Sequence, residues 1–129
     1  MNRFRVGRAK TGLGLFATAP IARGAFIVEY FGERIPTPRA KARERMRGSR
    51  YIYEVNSRWS IDGAARGNLA RYINHSCRPN AQAYIERGRI VLRGLRAIAP
   101  GEEITCDYGG EYFELFIAPI GCKCAACAP

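Results

Sequence analysis

Residues that can do chemistry concentrate in the segment RYINHSCRPN, residues 71–80, which holds the single histidine of the chain. His75 follows Asn74 directly, and Cys77 comes two places later. Three interpretations are open: a nucleophile with its base, a metal site, or a turn. Cys-His catalysis usually draws its two side chains from different parts of the chain, with a third group that orients the base, and the chain has no second histidine. We therefore expect no thiol catalysis from this pair.

The cysteines favour a metal over disulfides. The chain has five cysteines, and Cys122, Cys124 and Cys127 lie within the short segment CKCAAC. An odd number excludes complete internal pairing, and clustered cysteines are typical of metal ligands. Free thiols are the alternative interpretation.

A glycine pair leads into an apolar segment near the start of the chain. In KTGLGLFAT, residues 10–18, Gly12 and Gly14 flank Leu13. Glycine lets the main chain approach a ligand closely, so such a segment can hold a cofactor. The third glycine and the helix of a dinucleotide fingerprint are missing, and without further support a tight turn is the favoured interpretation.

The elements that must position these residues are mostly β-strands. Short runs rich in β-branched and aromatic residues, separated by Gly and Pro, predict strands at 25–32, 50–55, 89–94 and 102–109. The dipeptide Arg87-Gly88 predicts a hairpin turn.

One α-helix interrupts the strands. It is predicted to begin with Thr37 as N-cap and Pro38 at the first helical position, and to stop at Gly48. A brief helical turn is predicted over 67–73. Together these signals predict a mostly β protein.

The composition indicates a single domain. Its positive charge either attracts an acidic partner or keeps the chain soluble. The 129 residues include 18 arginines and 3 lysines against 11 acidic residues, for a net charge of +10. Such a charge fits nucleic acid or an acidic protein surface as a partner, and equally a chain kept soluble by its arginines. Because no signal peptide or run of about 18 apolar residues is present, we expect an intracellular protein without a membrane partner, either cytoplasmic or associated with chromatin or a nucleoid.

Five motifs occur in an order that resembles the SET-domain protein lysine methyltransferases. They are GLGLFA at 12–17, EYFGE at 29–33, YIYEV at 51–55, RYINHSCRPNA at 71–81 and GEEITCDYG at 101–109. The resemblance implies a β-clip-like SET fold of several small sheets with short helices and a C-terminal pseudoknot. It also implies a SET domain over residues 1–116, followed by a post-SET-like cysteine tail over 117–129.

The same resemblance implies transfer of methyl groups from S-adenosylmethionine to the lysine amine of a protein substrate, such as a histone or another basic protein. For a lone tyrosine in a strand, core packing is the ordinary interpretation, but Tyr108 matches the catalytic tyrosine of the family and Tyr30 matches one lining its lysine channel. The residues implied in cofactor binding are Gly12, Leu13, Gly14, Tyr51, Asn74, His75 and Tyr108.

The resemblance also implies a structural zinc ion and an active site that allows more than one methyl group to be added to a lysine. Cys77 resembles the cysteine that joins three C-terminal cysteines around zinc, here Cys122, Cys124 and Cys127, although the last two are closer together than is usual in the family. Cys106 occupies the place where many relatives carry a Phe or Tyr that limits methylation, so we expect di- or trimethylation.

Two other functions compete with the enzyme. One is a non-catalytic SET-like module that binds peptide or nucleic acid, and the other is a basic nucleic-acid-binding protein with a zinc knuckle. Cofactor binding and turnover separate the enzyme from both. A homodimer is a further predicted partner for so small a catalytic unit.

Overall fold

Short strands dominate the protein. The computed structural model describes residues 3–10, 12–47 and 51–108, which contain ten strands, one α-helix and one 3₁₀ helix. The strands are β1 (Phe4–Ala9), β2 (Gly12–Ala17), β3 (Phe26–Tyr30), β4 (Glu33–Pro36), β5 (Ile52–Glu54), β6 (Trp59–Asp62), β7 (Asn74–His75), β8 (Ala81–Glu86), β9 (Arg89–Gly94) and β10 (Glu103–Cys106). The helices are α1 (Thr37–Arg47) and the 3₁₀ helix Leu69–Tyr72.

In the described part of the chain the strands form two sheets. The larger has the order β1-β2-β10-β8-β9-β3, with β7 added beside β10, and the smaller has the order β4-β6-β5. Strand β10 pairs antiparallel with β2 and parallel with both β7 and β8. The last strand of the described residues, β10, therefore lies inside the large sheet and joins segments that are far apart in sequence.

The predicted strands agree with the observed ones. β3, β5, β9 and β10 each fall inside one of the four predicted ranges, and β8 and β9 form the expected hairpin, with Glu86 opposite Arg89 across the Arg87-Gly88 turn. The fold is mostly β, as expected, and its described strands divide between more than one sheet.

Helix α1 begins where it was predicted, but not by the expected cap. The hydroxyl of Thr37 donates to the main-chain carbonyl of Asn56 at 2.9 Å and lies 2.9 Å from the hydroxyl of Ser60. Thr37 is buried, so its hydroxyl ties the helix start to the neighbouring sheet rather than to the helix itself. The predicted stop at Gly48 lies outside the described residues.

The glycine pair lies at the start of a strand, next to the chain reversal between β1 and β2. Both glycines belong to strand β2, where Gly12 pairs with Ala9 and Gly14 pairs with Gly7 of β1. Gly12 has a φ of 122°, which only glycine adopts readily. The glycines therefore start a strand of the large sheet rather than form a separate loop.

The core lies under the large sheet. Leu15, Ile27, Ile98 and Ile104 are almost completely buried and belong to one apolar cluster. Burial of each such side chain contributes roughly 1.5–3 kcal/mol. No helix of the described residues is long and apolar enough to span a membrane.

Candidate active site

A cavity of about 340 Å³ lies between the two sheets and is lined by several tyrosines. Its wall includes Tyr30 from β3, Tyr53 from β5, Cys106 from β10, and Tyr51 and Tyr108, which flank strands β5 and β10. We call this space the tyrosine cavity. The two sheets thus bring together residues from both halves of the chain.

Tyr30 is held on one side of the tyrosine cavity. Its hydroxyl donates to the main-chain carbonyl of Tyr51, and its ring centre lies 5.8 Å from that of Tyr53. Gly63 makes room for the ring, because a Cβ at that position would lie 2.5 Å from two ring carbons of Tyr30. Burial, with a smaller contribution from Cys106, raises the pKa of Tyr53.

Asn68 fixes the two segments that enclose Tyr30. It is completely buried, its Oδ1 accepts from the main-chain N–H of Phe31 at 3.2 Å, and its Nδ2 donates to the carbonyl of Gly63 at 3.0 Å. The sequence analysis missed this residue, because Phe31 lies far away along the chain and no local pattern marks the contact with Gly63.

Tyr108 lies on the other side of the cavity and contacts the histidine. Its hydroxyl donates to the carbonyl of Ile73, and its main-chain N–H donates to Nδ1 of His75 at 3.1 Å. An Nδ1 that accepts a hydrogen bond carries no proton, so the ring proton lies on Nε2. The carboxylate of Asp107 is 3.8 Å from Nδ1, too far to compete as a hydrogen-bond partner.

His75 and Cys77 lie close together. The Cys77 Sγ is 3.4 Å from Nε2 of His75, and residues i and i+2 of an extended segment share a face. Nε2 carries the proton, so the imidazole donates towards the sulfur and does not act as a base for it.

Asn74 links the glycine segment to strand β10. Its Nδ2 donates to the carbonyl of Leu13 at 3.0 Å and to a carboxylate oxygen of Glu103 at 2.8 Å. Gly14 lies against the same groups, and a Cβ there would be 2.6 Å from the Glu103 carboxylate. We call this place, where Gly12, Leu13, Gly14, Asn74 and Glu103 meet, the Asn74 corner. Both amide hydrogens of Asn74 are used, which leaves its Oδ1 as the acceptor that it can offer to a ligand.

The buried thiol of Cys106 is chemically inert. Burial, with a contribution from Asp107, raises its pKa from 9.0 to about 12, so the thiol stays protonated and acts as a small apolar wall group. Cys77 is exposed. The other three predicted zinc ligands, Cys122, Cys124 and Cys127, lie outside the described residues, as do the predicted pseudoknot and cysteine tail. Within the described ranges no three His, Cys, Asp or Glu side chains could hold a metal ion.

Arg71 is a second residue that sequence reasoning missed. It lines the tyrosine cavity, and its guanidinium lies 4.4 Å from the ring centre of Tyr51 and 5.3 Å from that of Tyr72. A cation over an aromatic face is favourable. Arg71 thereby packs against Tyr51, whose carbonyl accepts the Tyr30 hydroxyl.

A protein-family model described as the SET domain matches residues 12–109 of this chain. The chain belongs to the SET domain family. The matched range includes every described strand except β1, together with the Asn74 corner and the tyrosine cavity.

SET domain relatives with curated names are similar to most of the chain. It is 41% identical over 122 residues to "Histone-lysine N-methyltransferase, H3 lysine-4 specific" of Saccharomyces cerevisiae, which covers 88% of this chain and 11% of the yeast protein. It is 40% identical over 124 residues to "Histone-lysine N-methyltransferase set-2" of Caenorhabditis elegans, with 89% and 8% covered. The chain therefore spans about a tenth of the length of these relatives.

Solved structures are also similar to this chain. "Apo ctPRC2 in an autoinhibited state" gives a TM-score of 0.74 at 32% identity, covering 82% of this chain and 15% of that one. A humanized mutant of the Chaetomium thermophilum Polycomb Repressive Complex 2 bound to the inhibitor GSK126 gives a TM-score of 0.73 at 33% identity, with the same shares covered.

Proposed function

We propose that this chain transfers methyl groups from S-adenosylmethionine to the side-chain amine of lysine in a protein substrate. The observation that carries the proposal is Tyr108, which contacts His75 beside the Asn74 corner and also lines the tyrosine cavity. One residue thus adjoins both a candidate cofactor site and a candidate lysine site. The names of the curated relatives support the same reaction.

The Asn74 corner fits the amino-acid and nucleoside parts of the cofactor. Gly14 is buried and lets strand β2 pack closely on Asn74. Gly12 and Leu13 are exposed beside it, so their main chain and the Asn74 Oδ1 can meet polar groups of a ligand. When bound, the cofactor supplies an electrophilic methyl group on a sulfonium sulfur. The residues that we assign to its binding are Gly12, Leu13, Gly14, Tyr51, Asn74, His75 and Tyr108.

The tyrosine cavity fits a lysine side chain. Tyr30 and Tyr53 supply ring faces that enclose an alkyl chain, and the inert Cys106 leaves space at the wall. A buried ammonium group loses its hydration, which disfavours the charged form. Burial therefore lowers the amine pKa from its usual value of about 10.4 and makes the neutral, nucleophilic form accessible. The Tyr108 hydroxyl has lone pairs that can accept from the amine and align it. Such alignment contributes at most about 7–11 kcal/mol to lowering the barrier.

We also propose the structural zinc site and the domain division that the sequence implies. Cys77 would join Cys122, Cys124 and Cys127, because four thiolates form a closed tetrahedral site. The exposed Cys77 sulfur beside the Nε2–H of His75 fits a ligand whose sulfur accepts an outer hydrogen bond. The SET domain would span 1–116 and the cysteine tail 117–129.

Histones are the proposed substrate class, since the curated relatives are named for histone lysine methylation. The proposed location is accordingly at chromatin or at another assembly of basic proteins. A homodimer stays a prediction.

The test is transfer of labelled methyl from S-adenosylmethionine to histones, ribosomal proteins and the chain itself, with Tyr108→Phe in parallel. We expect the variant to lose turnover by about 100-fold or more with little loss of cofactor affinity, because it removes a group that acts on the reacting atoms. Tyr84→Phe is the matched control, since Tyr84 lies on strand β8 outside the cavity and is 38% exposed.

Two results would contradict the proposal. Equal losses of turnover and cofactor affinity in Tyr108→Phe would argue against an aligning role. A wild-type chain that transfers no label and binds no cofactor by calorimetry would favour the non-catalytic module instead.

A further inference from the structure

Three arginines meet at the end of the β8–β9 hairpin, away from the residues assigned to methyl transfer. Arg87 occupies the two-residue turn, Arg89 begins strand β9, and Arg34 of β4 donates from Nη2 to the carbonyl of Gly88 at 3.0 Å. All three side chains are exposed. We call Arg34, Arg87 and Arg89 the arginine tip.

The turn itself does not explain an arginine at this place. Arg87 has a φ of 52° and Gly88 a φ of 76°, as in the two-residue hairpin turns that prefer Asn, Asp or Gly at both positions. Among the described residues, Arg87 is the one non-glycine residue with a positive φ. An L-residue with a long side chain is disfavoured in that region, so the residue type is better explained by its side chain than by the turn.

Local charge does not explain the arginine tip either. Glu86 lies directly opposite Arg89 in the hairpin register, yet both of its carboxylate oxygens are bound by Arg93, at 2.8 and 2.9 Å. Of the carboxylates in the described ranges, none lies within 4.0 Å of a charged nitrogen of the tip arginines. Like charges placed together without counter-charges destabilise a fold, and such breaks of local rules are expected at functional positions.

A phosphate backbone is the partner that fits this surface. Guanidinium groups bind phosphate oxygens in a bidentate manner. Interfaces with nucleic acids are polar and strongly positive, which matches three exposed arginines without an acidic partner within 4.0 Å among the described residues. The net charge of +10 also attracts a polyanion at long range.

We propose that the arginine tip binds the sugar–phosphate backbone of a nucleic acid. The proposal does not depend on methyl transfer. The arginine tip is nevertheless close to the proposed reaction site, because Arg89 is followed directly by Ile90, which lines the tyrosine cavity. A nucleic acid held at the tip would therefore lie on the same hairpin as the cavity wall.

The test compares the wild-type chain with the triple variant Arg34→Gln, Arg87→Asn, Arg89→Gln by fluorescence anisotropy on labelled nucleic acid. Asn at 87 keeps a residue that tolerates the left-handed turn. Each phosphate contact contributes about 0.9 to the slope of log K against log salt for B-DNA, so between about 50 and 200 mM salt we expect the variant slope to be less steep by roughly 2–3. Duplex DNA, duplex RNA and single strands are titrated separately to distinguish the source of the backbone.

The matched control is Arg23→Gln, Arg58→Gln, Arg66→Gln, which removes the same charge from three exposed positions in separate loops. The proposal requires this control to keep most of the wild-type slope. Equal losses in both triple variants would show a diffuse charge effect and overturn it, as would wild-type binding without salt dependence. Tighter binding of a polyglutamate peptide than of any nucleic acid, abolished by the tip variant, would replace the nucleic acid with an acidic protein.

Discussion

At the scale of single residues, Cys106 is expected to set how many methyl groups one lysine receives. It lines the tyrosine cavity and is 8% exposed, so replacing it with a larger side chain narrows the space around the amine. We predict that the wild-type chain forms di- or trimethyl-lysine and that Cys106→Phe stops at an earlier stage, as read by mass spectrometry of the product. A wild-type product that stays monomethyl under excess enzyme and cofactor would contradict this prediction.

Because overpacking a core typically costs about 1–3 kcal/mol, the thermal unfolding of Cys106→Phe must be measured as well. Cys106→Val serves as the control, since it adds little volume and should keep the wild-type product pattern. A change of product in both variants would indicate a general distortion of the wall rather than its narrowing.

Glu102 makes the stability of the fold depend on pH. The guanidinium of Arg96 first, and then Ala99 N–H and Asn80 Nδ2, lower the pKa of its carboxyl from 4.5 to about 2. A group with a lowered folded-state pKa stabilises the fold fully above its unfolded value and loses this contribution as pH falls. We predict that Glu102→Gln lowers the free energy of unfolding by about 1–2 kcal/mol at pH 7, allowing for partial solvent screening, and that the difference shrinks between pH 4.5 and 2.

Chemical denaturation at several pH values measures this difference. The control is Glu54→Gln, whose half-exposed carboxylate lies 3.7 Å from Lys41, because exposed ion pairs contribute little to stability. If the difference in the free energy of unfolding between the wild type and Glu102→Gln stays constant down to pH 2, the ionised carboxylate is not the source of the stabilisation.

At the scale of elements, strand β2 must approach β10 and β7 closely for the Asn74 corner to exist. A Cβ at Gly14 would lie 2.6 Å from the Glu103 carboxylate, 2.9 Å from Ala9 Cβ and 3.2 Å from Asn74 Nδ2. We predict that Gly14→Ala lowers S-adenosylmethionine affinity by about tenfold or more in calorimetry, because the Asn74 amide must shift. Gly67→Ala is the control, since a Cβ there meets nothing within 4 Å, and an equal loss in that variant would contradict the prediction.

The element scale also shows what the sequence could and could not predict. Strands β3, β9 and β10 followed from β-branched and aromatic runs, and the hairpin followed from its turn dipeptide. The role of Thr37 was misjudged, because a local capping rule could not anticipate that Asn56 and Ser60 would approach its hydroxyl. The contact between the Cys77 sulfur and His75 could have been predicted, since residues i and i+2 of an extended segment share a face.

At the scale of the whole molecule, motif order was informative where periodicity was not. The resemblance to SET domains predicted a fold of several small sheets, which hydrophobic alternation alone describes only as mostly β. It also pointed to Tyr30 and Tyr108 for chemistry. It did not indicate Asn68 or Arg71, whose partners are defined only once the segments around residues 30, 51 and 63 have come together.

Strand β10 has a consequence for how the protein reaches its native state. It comes last among the described strands yet pairs with β2, β7 and β8, so the large sheet cannot close before residue 106 has left the ribosome. Pairing between distant segments slows folding, since loop-closure entropy must be overcome first. During synthesis the candidate active site is therefore completed late, because a nascent chain that ends before residue 103 lacks Glu103 of the Asn74 corner and both Cys106 and Tyr108 of the tyrosine cavity.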